Sequence, residues 1–238
     1  MQPANVFPFR LNPTAVSDIV WRDVLGDLDL DRHEVAAKLT AHWRECEATR
    51  ARMAYNTGSI SPSTGLALYA LAARLEPRVI FEIGTFIGKS AVAIALGTES
   101  AGIADAVLHT CDGSNDFHLK HSGTTRMVGY PRKTSTQALG ELPPGLAVDL
   151  FHFDGRVADA DLPLIGKLMK PTSVIALDDF EGFEKGVANL SLLRAQPFLR
   201  SHILAYPPDR KLLAEFGMHS RCLTAVLLPA GMFGFTPQ

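Results

Sequence analysis

The feature that most constrains this chain is a strand that runs into a helix through two glycines. "FEIGTFIGKSAVAIA", Phe81 to Ala95, starts as a short apolar run and ends with helical spacing. Gly84 and Gly88 stand between the two halves. Glycine tolerates positive φ and carries no Cβ, so a turn of this kind lets a ligand approach the main chain. The helix that follows points free N–H groups at the same space. The spacing is Gly-x-x-x-Gly, with Phe86 where a dinucleotide fingerprint has its middle glycine. A phosphate loop is also excluded, because Gly88 comes one residue too early for the GK[ST] tail.

The turn is one step in a regular alternation. Short runs at "RVIFEIG", "AVLHTCDG", "AVDLFHFDG" and "TSVIALDDF" read as buried strands, with "RMVGY" as a weaker one. Helical stretches fall between them, at "KSAVAIALGTES", "STQALGEL", "ADADLPLIGKLMK" and "EKGVANLSLLRAQ". A helix or lid is expected near "NDFHLKHSG". "SHILAYP" and "CLTAVLLP" read as a late antiparallel pair. Upstream, "DRHEVAAKLTAHWRECEATRARM" predicts a helix capped at Asp31, with Glu34 three residues on. A second helix, "STGLALYALAARLEP", stops before Pro77. Residues 1–30 are proline-bearing and mixed, and are expected to wrap on the surface or pack against a neighbouring subunit. Strands alternating with helices imply an α/β, doubly wound, mostly parallel sheet with N-terminal helices and an antiparallel C-terminal strand pair. Ligands in such sheets sit at the carboxyl ends of the strands.

Those ends carry acids. Asp112 follows the second strand, where a carboxylate can accept hydrogen bonds from ribose hydroxyls; it serves equally well as a cap or turn residue. Asp154 closes "FHFDG", and Asp178 and Asp179 close "ALDDF". Three carboxylates at neighbouring strand ends repel one another unless a cation relieves them. Oxygen-only ligands suit Mg²⁺ or another hard divalent cation. Helix capping by Asp178 or Asp179 and a local turn at Asp154 is the alternative.

Composition narrows the classes. With 47% hydrophobic residues in 238, a sizeable core is affordable in one α/β domain. A net charge of −2 gives no electrostatic footprint for nucleic acid. No apolar run is long enough for a membrane span, and the opening residues lack a signal-peptide core. Cys46, Cys111 and Cys222 are scattered and odd in number, so a reduced, cytoplasmic protein is expected.

Together these features resemble the class I S-adenosylmethionine (SAM)-dependent methyltransferases. The likeness is to small-molecule O-methyltransferases of the catechol and caffeoyl-coenzyme A type, and to a related group whose fourth strand ends "IDGDHSY". It covers Ser59 to Gly182, through "SISPSTGLALYALAARLEPRVIFEIGTFIGKSAVAIA" and "VDLFHFDGRVADADLPLIGKLMKPTSVIALDDFEG". The resemblance implies a seven-stranded Rossmann-like sheet over residues 59–238, with SAM as cofactor. It leaves residues 1–58 as a helical lid or dimerisation segment of a homodimer. It also implies a small-molecule substrate. Glu82, Gly84, Thr85, Gly88 and Ser90 would line the methionine and ribose part of SAM. Asp112, Gly113 and Ser114 would flank the ribose, Ser135 the adenine, and Ser61 and Thr64 would close over the cofactor. Asp154, Asp178 and Asp179 fall on the family's metal positions, the third being asparagine in many members.

One departure bears on mechanism. In the catechol and caffeoyl-type enzymes a lysine base follows the metal aspartate by three residues, and here that position is Val157. Arg156 is no substitute, since a guanidinium does not give up its proton. Candidate bases are His152, on the same strand as Asp154, and His118 and His121 in the segment after the second strand; Asp154 is a candidate catalytic residue through the metal it would hold. Tyr55 and Asn56 are candidates for substrate contact. Two other readings keep the sheet: a SAM-binding protein without catalysis, and a nicotinamide-dependent dehydrogenase, against which the glycine spacing argues.

Overall fold

The computed structural model describes residues 13–26, 32–53 and 59–232, without the side chains of 13 and 32–36. The Asp31 cap, Tyr55 and Asn56 lie outside the described residues. Three helices come first: α1 (Pro13–Gly26), α2 (Arg32–Arg50) and α3 (Pro62–Leu75). An alternating series follows: β1 (Val79–Ile83), α4 (Lys89–Ser100), β2 (Val107–Asp112), β3 (Arg126–Pro131), α5 (Ser135–Gly140), β4 (Val148–Phe153), α6 (Leu162–Leu168), β5 (Met169–Leu177) and α7 (Lys185–Leu193). β6 (His202–Ala205), α8 (Arg210–Glu215) and β7 (Ala225–Pro229) complete the fold. The seven strands form one sheet in the order β3-β2-β1-β4-β5-β7-β6. The first five are parallel; β7 runs antiparallel to both β5 and β6.

Strand alternation sorts the core onto two faces. Ile80, Leu108, Leu150, Val174 and Ala176 meet α1, α3 and α4 through Trp21, Leu68, Leu71 and Ile94. Phe81, Phe151, Phe153, Ile175 and Leu177 face the other way, onto Leu139, Ile165 and Leu193. Both faces are buried, which is why these strands read as continuous apolar runs.

Three local expectations change. Residues 13–26 are helical where the residues themselves pointed to a surface wrap, although the resemblance implied a helical segment over 1–58. Val16, Val20 and Val24 recur every four residues and are buried, and Trp21 donates to the Tyr206 carbonyl at 2.7 Å. The proline that obscured this, Pro13, stands at the helix's first position, where a missing N–H costs nothing. The "NDFHLKHSG" segment holds no helix; its His118 N–H bonds the Phe86 carbonyl at 2.7 Å. α6 stops at Leu168, and Pro171 lies in the early, more exposed part of β5. Elsewhere the caps explain the boundaries: Ser61 accepts from the Thr64 N–H at the start of α3, and Thr134 and Gln137 form a capping box on α5. Among the described residues no helix is long and apolar enough to cross a membrane.

Candidate active site

A cavity of ≈ 580 Å³ opens along the carboxyl ends of β1, β2, β4 and β5. Its floor is the turn after β1. Gly84 sits at φ +102°, and a Cβ there would lie 2.9 Å from both the Asp154 carbonyl carbon and the Gly155 nitrogen. Only glycine fits so close to the neighbouring strand end. Gly84 and Thr85 donate to the Cys111 carbonyl at 2.9 and 3.2 Å, which ties the turn to β2. Phe86 is held at φ +43°, and its N–H donates to Asp112 Oδ2 at 2.7 Å. Asp112 Oδ1 accepts from the Ser114 N–H at 2.8 Å. The carboxylate therefore braces both loops while lining the cavity. Gly84, Thr85, Ser90, Asp112, Gly113, Ser114 and Ser135 all line it. Ser135 also donates to Asp161 Oδ2 at 2.6 Å. Gly88 does not line the cavity; at φ +76° it ends the turn and caps α4.

Glu82 is a correction. It is fully buried and does not line the cavity. Register places it between Thr110 on β2 and His152 on β4. Its carboxylate accepts from the Thr110 hydroxyl, from Ser90 Oγ at 2.6 Å, and meets His152 Nδ1 at 2.9 Å. Strand period put this side chain on the face of Ile80, into the sheet's interior. Ser61 and Thr64 likewise work at the α3 cap, and Ser59 and Ile60 line the cavity in their place.

The proposed histidine bases do not reach the cavity either. His152 is fully buried on Glu82, and its Nε2 has no hydrogen-bond partner among the described residues. Burial disfavours its imidazolium, yet the bond and charge of Glu82, with Asp178 and Asp154, hold its pKa above the usual value. His121 Nε2 pairs with Glu99 Oε1 at 2.6 Å, at the far end of α4. His118 is not a lining residue.

Across from the glycine turn, Asp154, Asp178 and Asp179 converge, each offering a carboxylate oxygen within 4.8 Å of the others. Asp178 is buried and accepts from Thr224 Oγ1 at 2.8 Å. Burial and the Asp178 charge push the Asp154 carboxyl up to about 7, against the pull of Lys185 and His152. Burial also raises Asp178, against the charge of His152 and the Thr224 bond. The residue that sequence reasoning missed is Lys185, the first of α7. Its Nζ lies 2.7 Å from Asp154 Oδ1 and 2.8 Å from Asp179 Oδ2, and it lines the cavity. Burial opposes the ammonium, but Asp154 and Asp179 outweigh it and raise the lysine's pKa. A signal for it was present: a positive charge opening a helix faces the unfavourable end of the dipole, so it needs a local partner. Lys89, which opens α4, shows the same pattern, paired with Glu47 and bonded to Ser59 Oγ at 2.9 Å.

Val157, at the family's lysine position, is buried with Ile165 and Leu193. Its N–H donates to Asn189 Oδ1 at 2.9 Å. A charged side chain there would have no water and no partner.

Comparison with known proteins adds likenesses. Residues 81–180 match the family model for a methyltransferase domain. No curated protein matches the sequence. Among solved structures, the chain is similar to the O-methyltransferase TomG from Streptomyces achromogenes, involved in tomaymycin synthesis and in complex with SAM. That likeness has TM-score 0.56 and 18% identity, over 80% of this chain and 90% of TomG. An O-methyltransferase from Bacillus cereus in complex with SAH is similar at TM-score 0.55 and 16% identity, over 90% of this chain and 96% of that one. These likenesses are to the fold, and the family model covers the cavity floor and both acidic strand ends. Residues 81–180 are thus similar to a methyltransferase domain, and the seven-stranded sheet that carries them is similar in fold to these two O-methyltransferases.

Proposed function

We propose that this protein transfers a methyl group from SAM to a hydroxyl of a small molecule. The observation that carries the reading is a cavity in which a glycine floor faces a carboxylate–lysine wall. Gly84, Thr85 and Ser90 would hold the methionine end of SAM, Asp112 the ribose, and Ser135 the adenine edge. These residues fit the cofactor: a Cβ would fill the cradle at Gly84, and the Asp112 carboxylate stands at the cavity surface. When bound, SAM supplies a methyl carbon made electrophilic by its sulfonium.

The chain's part is to bring an oxygen in line with that carbon and accept its proton. Asp154 lines the cavity, and with a pKa of about 7 it is matched to general-base work near neutrality. Lys185, bonded to Asp154, steadies that carboxylate and offers a positive charge where the acceptor oxygen becomes negative. Ile60, Ile83 and Ile87 make part of the lining apolar, which limits water at the reacting atoms. The three carboxylates do not fit a divalent metal as they stand, because Lys185 already bridges Asp154 and Asp179 and Thr224 holds Asp178.

Calorimetry with SAM and SAH tests the cofactor reading, and binding in the micromolar range is expected. No heat at millimolar ligand removes the proposal. A mass-spectrometric screen of phenols and alcohols with methyl-labelled SAM then tests transfer to oxygen. Label appearing only on nitrogen or sulfur acceptors would redirect it.

A further inference from the structure

We infer that Lys185 is the acceptor side's own cation, seated where relatives of this fold type are expected to hold a divalent metal, so that the site works without one. The inference rests on the proposed function. Lysine has three N–H donors. Two are taken, by Asp154 Oδ1 at 2.7 Å and Asp179 Oδ2 at 2.8 Å, and the side chain faces the cavity. A metal bound to these acids would have to displace the ammonium from two of its three prospective ligands. The freed lysine would then remain close to a like charge.

The lysine is built into that seat. Gly186 follows it, and a Cβ there would lie 2.3 Å from the Asp178 carbonyl oxygen. The missing side chain lets the start of α7 rest on the end of β5. One turn on, Asn189 is buried on the same helix face as Lys185. It accepts from the Val157 N–H at 2.9 Å and donates to the Gly155 carbonyl at 2.9 Å. α7 is thereby fastened to the loop that carries Asp154. Asp179 holds a left-handed backbone, φ +51°, with its carboxylate on Lys185. The Val157 position is closed to the usual lysine, and this helix delivers one from another direction.

The test is a Mn²⁺ titration of the purified protein, read by the electron paramagnetic resonance of free Mn²⁺. The wild type is expected to show no saturable site up to about 1 mM, a concentration at which a competent carboxylate site fills. SAH affinity, read by calorimetry, is expected to be the same in EDTA and in excess Mg²⁺. Lys185→Met frees the acids and is expected to gain a one-to-one Mn²⁺ site at least about tenfold tighter than any wild-type binding, lost again when Asp154→Asn is added. A wild-type site with Kd below about 100 µM that Asp154→Asn removes overturns the inference. So does a folded Lys185→Met, checked by circular dichroism, that binds no more Mn²⁺ than the wild type. If Lys185→Met does not fold, Lys185→Gln is read in the same way, and the wild-type titration stands without either. Absence of SAH binding would sink the proposed function and leave the Mn²⁺ arms readable.

Discussion

The two walls of the cavity are made in different ways. The floor is local: Ile83 to Ser90 are consecutive, and what they offer a ligand is largely main chain, opened by Gly84 at φ +102°. The opposite wall is assembled from distant parts. Asp154 follows β4, Asp178 and Asp179 follow β5, Lys185 opens α7, and Thr224 stands just before β7. The floor is set by backbone shape and the wall by balanced charge. Damage to the first should therefore show in binding, and damage to the second in turnover and pH dependence.

The hardest blow to the floor is Gly84→Val. Its Cβ would meet the backbone of Asp154 and Gly155 at 2.9 Å, which cannot yield cheaply. SAH affinity is expected to fall by roughly a thousandfold or more, or the fold to be lost. Calorimetry and a thermal melt together read this, and near-normal binding would break the comparison. Lys185→Met strikes the wall. Turnover is expected to drop about a hundredfold while SAH affinity changes by less than about threefold. Equal losses in both would mean that the walls are not separable.

Asp154→Asn sharpens the contrast through pH. Activity of the wild type should rise through about pH 7 as Asp154 ionises, and the variant should lose that inflection. Stability runs the other way. A carboxyl whose folded pKa is raised contributes most below its unfolded value near 4, and that contribution is lost as pH rises towards 7. The melting temperature of Asp154→Asn should therefore gain on the wild type between pH 5 and 8 by about 5 °C. The smallest effect is expected from Asp112→Ala. Removing the brace on the Phe86 and Ser114 N–H groups should weaken SAH about tenfold and leave the pH profile unmoved.

This contrast also decides how much the sequence discloses. The sheet and its order of elements follow from periodicity, because the parallel strands are buried on both faces and read as apolar runs. The floor is legible for the same reason it is local: glycine spacing is visible along the chain. Glu82 was assigned to that floor by its neighbourhood in sequence. Strand alternation turns it inward to Thr110 and His152, a pairing that depends on register across two strands. Lys185 was overlooked because its partners lie 31 and six residues away and meet only when α7 docks. Lys89 and Lys185 share a trace that reading by motif passes over: each places a positive charge where a helix begins. α1 was missed for a simpler reason, since proline at a helix's first position looks like a breaker until the apolar spacing behind it is counted.

The strand order has a further consequence. β7 lies between β5 and β6, so order in space departs from order of synthesis. Among the described residues, β6 pairs with no strand except β7. When it leaves the ribosome it has α1 to pack against, through Trp21 and Ser17 at Tyr206, but it waits for a later strand to pair with. Thr224, which holds Asp178, precedes that strand by one residue. A nascent chain can thus shape its glycine floor well before its charged wall is complete, and catalytic competence would come as a final act of sheet closure.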